Sequence, residues 1–412
     1  MLHTLKHLII LKKVKIRIKK GLLSGTIIAP PSKSMSHRYL IASSLSFGNV
    51  VKNISYSDDI IATLSCLKNL GSKYVINQDT VTFNSFNPIN NKPEFDANES
   101  GSTLRFLIPL SLVYYDEVVF KGTKKLIERG IKEYERELPK KGIEVTTLED
   151  RIILKGKLKP GNYLINGNTS SQYISGLLFA LPLLNESSII EVREPFESSS
   201  YVELTLEVLK SFGIKIERVN NKFLIEGNQK YSSNNINIIE GDYSNISPFM
   251  AFSHLSSNLK IEGLNDNSSQ GDKRVIEYLD LLDNGYSIID LSNNIDLAPI
   301  LMVYASLKHG AKFIHTKRLK DKESDRGEAI RKELSKLGVS VKIEEDSIEV
   351  LNDMKIKDNI VFDSHNDHRI VMALSLLSSK MDIVIENYNA INKSFPSYFD
   401  ELKRLGKEVY EE

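Results

Sequence analysis

The sequence predicts an α/β protein of two similar halves, each built from three copies of one unit. Three observations predict it. A helix-like stretch closed by glycine and followed by a short alternating strand recurs six times, with the glycines at Gly71, Gly142, Gly213, Gly285, Gly338 and Gly406. Between these lies a second set of stretches, rich in Ala, Leu, Ile and Ser nearly all round. Finally, 412 residues with 41% hydrophobic and 26% charged side chains suit two sizeable cores better than one.

The elements follow in chain order. The first ten or so residues read as an extension, whose apolar run Leu8 to Leu11 is too short for a membrane span or a signal segment. Val14 to Ile18 alternates apolar with basic residues, the pattern of a half-buried strand. The stretches before the closing glycines are amphipathic, as in Tyr201 to Phe212, and should lie outside; glycine just past a helix takes the left-handed conformation cheaply. The stretches apolar all round should be inner, buried helices: Ser34 to Leu45, Ser102 to Val113, Ser171 to Leu184, Ser247 to Leu255, Leu297 to Lys308 and Asp367 to Ser378. Runs such as Ile152 to Leu154, Ile189 to Val192 and Ile383 to Ile385 read as connecting strands. The boundary between halves falls near Ile239 to Asp242, after a polar Asn-Ser stretch.

Bulk chemistry narrows the function. The net charge of +1 gives no global pull on nucleic acid or a membrane surface. One cysteine, Cys66, rules out a disulfide framework within the chain and fits a reducing compartment, so a cytoplasmic location is expected.

Each inner helix opens on polar or charged residues, and helix N-termini attract phosphate and carboxylate through unpaired N–H groups and partial positive charge. The segments are Ser32 to Arg38, Glu99 to Arg105, Thr169 to Gln172, Arg318 to Arg326 with Asp296 upstream, Asp363 to Arg369, and Lys393 to Pro396. Singly, each reads as readily as a capped helix or a solvated charge run. A metal site among the Asp and His residues at 363–369 lacks a nearby cysteine or a His-Glu-x-x-His pair.

Taken in order from about residue 14 onward, these segments, with Arg129 and Gly241-Asp242, resemble the enolpyruvyl transferase family. The resemblance implies two domains, each of three βαβαββ units (an inside-out α/β barrel), with the active site in the cleft between them. One domain would span 32–238, the other 1–31 and 239–412. Within the family the motifs are similar to the branch that moves the enolpyruvyl group of phosphoenolpyruvate onto the 5-hydroxyl of 3-phosphoshikimate, releasing phosphate by addition and elimination. It implies that Ser34 and Arg38 hold the shikimate carboxylate, that Ser170, Ser171 and Ser198 hold its phosphate, and that Gln172 lies between the substrates. Lys33, Gly101, Arg129, Arg326, Arg369 and Lys393 would hold phosphoenolpyruvate. Asp296 is the candidate base; Lys322 and Glu323 are both candidates for proton traffic at C3, with Lys33 beside them. Asp296, Lys322 and Lys33 would also touch 3-phosphoshikimate. No metal or organic cofactor is implied, and a monomer is expected.

Four positions depart from the commoner family pattern: Glu99, Ser102, Phe106 and Gly130. The sister branch using UDP-N-acetylglucosamine generally carries a reactive loop cysteine and a Lys-Asn pair; here Cys66 lies in an outer helix and Lys33 precedes Ser34. A catalytically dead binding module would not need Asp296, Lys322 and Glu323. Nucleic-acid binding lacks a basic stripe or stacking aromatics.

Overall fold

The computed structural model describes residues 14–88, 92–233, 236–255 and 258–412. The expected N-terminal extension, with Leu8 to Leu11, lies outside the described residues.

Alternation along the first strand places the chain's beginning. Ile16 and Ile18 are buried, and Lys15–Ile18 inserts antiparallel between Ile383–Glu386 and Val409–Glu411. Among the described residues, the buried apolar side chains form two cores. One runs from Met35 to Ile239; the other takes Ile16, Ile18, Leu23, Ile27 and Ala29 together with Tyr243 to Val409. The chain passes between cores twice, side by side. Ser32 N donates to Glu240 O at 2.8 Å and Asp242 N to Pro30 O at 2.7 Å.

Among the described residues, five four-stranded sheets repeat one plan. Asn162–Asn166 pairs parallel with Ser188–Arg193 across the inner helix Gln172–Ala180; Lys222–Ile225 and Ile216–Val219 then add antiparallel. The fourth unit departs from it. Among the described residues its sheet holds two strands, Ser24–Ile28 and Asn258–Glu262. The strand after Gly285, Ser287–Asp290, opens the next unit's sheet instead of closing its own. All six closing glycines have positive φ.

The inner helices are buried along most of their length, as their all-round apolarity requires. One expected start is corrected. The helix placed at Ser247 begins at Tyr243, because Asp242 caps it by accepting from Ser244 N and Asn245 N at 2.8 and 3.0 Å. Two inner helices pack at Gly176, where a Cβ would stand 2.3 Å from Arg105 O.

Two prolines inside inner helices have a use. Proline lacks the N–H that would pair with the carbonyl four residues earlier. Pro109 thus leaves Arg105 O open, and Tyr134 Oη donates to it at 2.8 Å. Pro248 leaves Ser244 O open, and Arg369 Nη1 donates to it at 2.9 Å. No helix among the described residues is long and apolar enough to cross a membrane.

Candidate active site

Inner-helix starts from both cores face one cavity of about 190 Å³. Every residue assigned a site role from sequence lines it except Lys393. Lys393 stands behind it, ion-paired with Glu99 and donating to Asn366 O at 2.6 Å.

On the first-core wall, the Lys33–Ser44 helix contributes three groups. Lys33 Nζ pairs with Asp59 at 2.8 Å, and Lys33 N donates to Asp242 at 3.0 Å, joining two helix starts. Ser34 lies beside it. Arg38 is 3% exposed, and among the described residues its three nitrogens donate only to neutral oxygens: Thr205 Oγ1, Ser34 O and Tyr201 O, each at 2.8 Å. Burial without a counter-charge pulls its pKa down to about 10. Such a guanidinium is suited to a carboxylate brought from outside.

The next helix start brings Gly101, Arg105 and Arg129 together with Gln172. Arg105 Nη1 donates to Gln172 Oε1 at 2.7 Å, and Gln172 Nε2 to Ser102 Oγ at 3.0 Å. A Cβ at Gly101 would lie 2.9 Å from Arg105 Nη1 and 3.3 Å from Arg129 Nη2, so glycine keeps both guanidiniums close to the backbone. Arg129 Nε crosses the cavity to Asp321 O at 3.2 Å. Burial lowers its pKa, with Glu323 opposing. Ser170 and Ser171 open the third inner helix. Ser198, at φ 53°, holds a strained left-handed conformation, and its hydroxyl accepts from Arg318. Arg318 also pairs with Glu197.

The opposite wall is dense in paired charge. Lys322 Nζ donates to Asp296 Oδ1 at 2.9 Å. Arg326 donates to Asp367 at 2.9 Å, Asp296 at 2.7 Å and Glu323 at 2.7 Å. Burial would raise the Asp296 carboxyl, but Lys322, Arg326 and Arg369 together outweigh it and hold it well below the usual range. Burial is likewise outweighed at Glu323, by Arg326 and Arg129. Burial lowers the Lys322 ammonium despite Asp296. The two histidines at 363–369 differ: His365 pairs away from the cavity lining, while His368 is part of it. His365 meets Glu333 at 2.8 Å, and His368 is buried, its pKa pulled down by burial and Lys33.

Among the lining residues that carried no role in the sequence reading are Arg105, Arg318, Tyr201 and Asp272. Arg105 and Arg318 stood inside the motif segments and were legible there. Tyr201 lay on an outer amphipathic stretch, where an aromatic reads as packing. Asp272 follows Gln270-Gly271 before another outer helix, with no local pattern to mark it.

The comparisons agree with this geometry. The family model described as EPSP synthase (3-phosphoshikimate 1-carboxyvinyltransferase) matches residues 18–402. A 3-phosphoshikimate 1-carboxyvinyltransferase of Clostridium perfringens is 38% identical, over 95% of this chain and 98% of its own. That of Clostridioides difficile is 37% identical, over 96% and 98%. Among solved structures, EPSP synthase of Acinetobacter baumannii superposes with TM-score 0.77 at 21% identity, covering 97% of this chain and 100% of that one. The enolpyruvyl transferase NikO of Streptomyces tendae gives 0.72 at 12%, covering 97% and 99%; both share the two-domain inside-out α/β fold. With a cleft of this composition and relatives at this identity over nearly the full length, the chain belongs to the EPSP synthase (3-phosphoshikimate 1-carboxyvinyltransferase) family.

Proposed function

We propose that this chain transfers the enolpyruvyl group of phosphoenolpyruvate to the 5-hydroxyl of 3-phosphoshikimate, giving 5-enolpyruvylshikimate 3-phosphate and phosphate in aromatic amino acid biosynthesis. The observation that carries the reading is the meeting of Lys33, Arg38, Arg129, Lys322, Arg326 and Arg369 around one cavity between two cores. Two substrates with about six negative charges between them need such neutralisation.

Ser34 and Arg38 take the shikimate carboxylate. Ser170, Ser171 and Ser198 take its phosphate, and Arg318 beside Ser198 adds a cation there. Gln172 separates the substrates. Lys33, Arg129, Arg326 and Arg369 take phosphoenolpyruvate at the Gly101 backbone, and Lys393 joins them by leaving Glu99. Asp296 removes the 5-hydroxyl proton as the oxygen attacks C2. Incoming anions draw Lys322, Arg326 and Arg369 partly away from Asp296, which raises its basicity when it is needed. Lys322 or Glu323 serves the proton gained and lost at C3.

The two cores act as domains of 32–238 and of 1–31 with 239–412, closing on the ligands as a cytoplasmic monomer. The test is phosphate release with phosphoenolpyruvate and 3-phosphoshikimate, with UDP-N-acetylglucosamine as the alternative acceptor. Release with the shikimate acceptor is expected; release with the nucleotide sugar alone overturns the reading.

A further inference from the structure

Asp296 has a second carboxylate for a neighbour. Asp272 is 4% exposed and sits in the turn Gly271–Arg274. The Tyr201 hydroxyl lies between the two acids, 2.9 Å from Asp272 Oδ2 and 3.4 Å from Asp296 Oδ2. Asp272 Oδ1 is buried without a hydrogen-bond partner among the described residues. The three groups come from three elements and both cores: the helix Ser199–Ser211, the turn Gly271–Arg274 and the turn Ile295–Leu297. All three line the cavity.

We propose that Asp272, acting through Tyr201, is a positioning residue that takes up the proton Asp296 removes from the acceptor hydroxyl. The proposal rests on the functional reading above. Asp296 Oδ2, once protonated, passes its proton to the Tyr201 oxygen as the Tyr201 hydroxyl proton moves to Asp272 Oδ2. One O–H bond breaks and one forms at the tyrosine, which stays neutral. Asp296 is again a carboxylate and Asp272 a carboxylic acid. When the intermediate collapses, the proton returns by the same path and leaves with the phosphate, so no proton accumulates over a turnover.

The surroundings give the transfer its direction. Asp296 faces Lys322, Arg326 and Arg369, which favour its anion. Asp272 faces Tyr201 and Asp296, with Ser244 and Arg369 on the helices packed against it. On its own turn, Lys273 donates to Asp266 O and Arg274 pairs with Glu277, so neither serves it as a counter-ion. Burial and the Asp296 charge push the Asp272 carboxyl up to about 6, with Arg369, Ser244 and Tyr201 opposing. In the ligand-free geometry these surroundings favour the proton on Asp272 over Asp296. Burial and both carboxylates hold the Tyr201 phenol well above its ordinary range, so a phenolate is disfavoured and the two proton movements are concerted.

The experiment is kcat from pH 5 to 9 by phosphate release for wild type, Asp272→Asn, Tyr201→Phe and the double variant. Calorimetric binding of 3-phosphoshikimate is measured on each. The relay predicts a roughly 10–100-fold kcat loss in each single variant, no further loss in the double, and 3-phosphoshikimate affinity within about threefold of wild type (~0.7 kcal/mol). It also predicts that the wild-type acid limb, where Asp272 is already protonated, disappears in Asp272→Asn. An acid limb left in place, or affinity falling while kcat holds, overturns the relay. If Asp272→Asn fails to fold, Tyr201→Phe decides: unchanged kcat overturns it. A wild type inert with both substrates overturns the functional reading and the relay with it; an active wild type with unaffected variants overturns the relay alone.

Discussion

Arg38 and Arg326 are buried to nearly the same depth, 3% and 2% exposed, on opposite walls of one cavity. Their partners differ completely. Arg38 has three neutral oxygens, and burial lowers its pKa. Arg326 has three carboxylates, and although burial opposes it, Asp367, Glu323 and Asp296 raise its pKa. A buried cation without a counter-ion is a destabilising element that an external anion relieves; one already surrounded by carboxylates is part of the frame. Arg38 is thus suited to receive an outside anion, and Arg326 to hold its neighbouring acids in register.

That contrast yields four predictions, from the largest effect to the smallest. Asp296→Ala should cut kcat by roughly 10²–10⁴-fold while 3-phosphoshikimate still binds; calorimetry alongside turnover checks both halves, and intact turnover removes Asp296 as the base. Arg326→Met leaves the buried Asp367 and the half-buried Asp296 and Glu323 without their shared cation and should cost about 3–5 kcal/mol in denaturant unfolding of the ligand-free protein. Arg38→Gln should show the opposite signature. Ligand-free stability is kept or raised, while 3-phosphoshikimate affinity falls by ~1.5–3 kcal/mol, as for a lost charge-assisted hydrogen bond; a large loss of ligand-free stability would break the comparison. Glu99→Gln frees Lys393 and should lower KM for phosphoenolpyruvate by a few-fold, about 0.2–1 kcal/mol. An unchanged or raised KM would mean that Glu99 is not competing with the substrate.

Much of this was legible in the sequence, for physical reasons. Gly71 and Gly338 announced helix ends because few other residues take their backbone conformation. Ser32 to Arg38 announced a helix start because hydroxyls and cations there have little other use. What was hidden depends on distance in space. Nothing near Asp272 says that Asp296 lies within reach of a shared tyrosine. The shortened fourth unit was masked because Ser287 to Asp290 is a short apolar-centred run that reads as a strand whichever sheet it joins. The Ser247 start erred because Ser244 and Asn245 look polar yet are buried, made tolerable by the Asp242 cap.

The most direct test of the asymmetry between Arg38 and the acid-paired cations is calorimetric titration of each substrate alone into the ligand-free protein. On the proposed assignment, Lys33, Arg326 and Lys393 must loosen from Asp59, from Asp296, Glu323 and Asp367, and from Glu99 before they can serve phosphoenolpyruvate, whereas Arg38, proposed for the 3-phosphoshikimate carboxylate, need release no acid. The predicted result is that 3-phosphoshikimate alone binds at least ~10-fold tighter than phosphoenolpyruvate alone, a difference of about 1.4 kcal/mol. Phosphoenolpyruvate binding alone as tightly as 3-phosphoshikimate, or tighter, would contradict it.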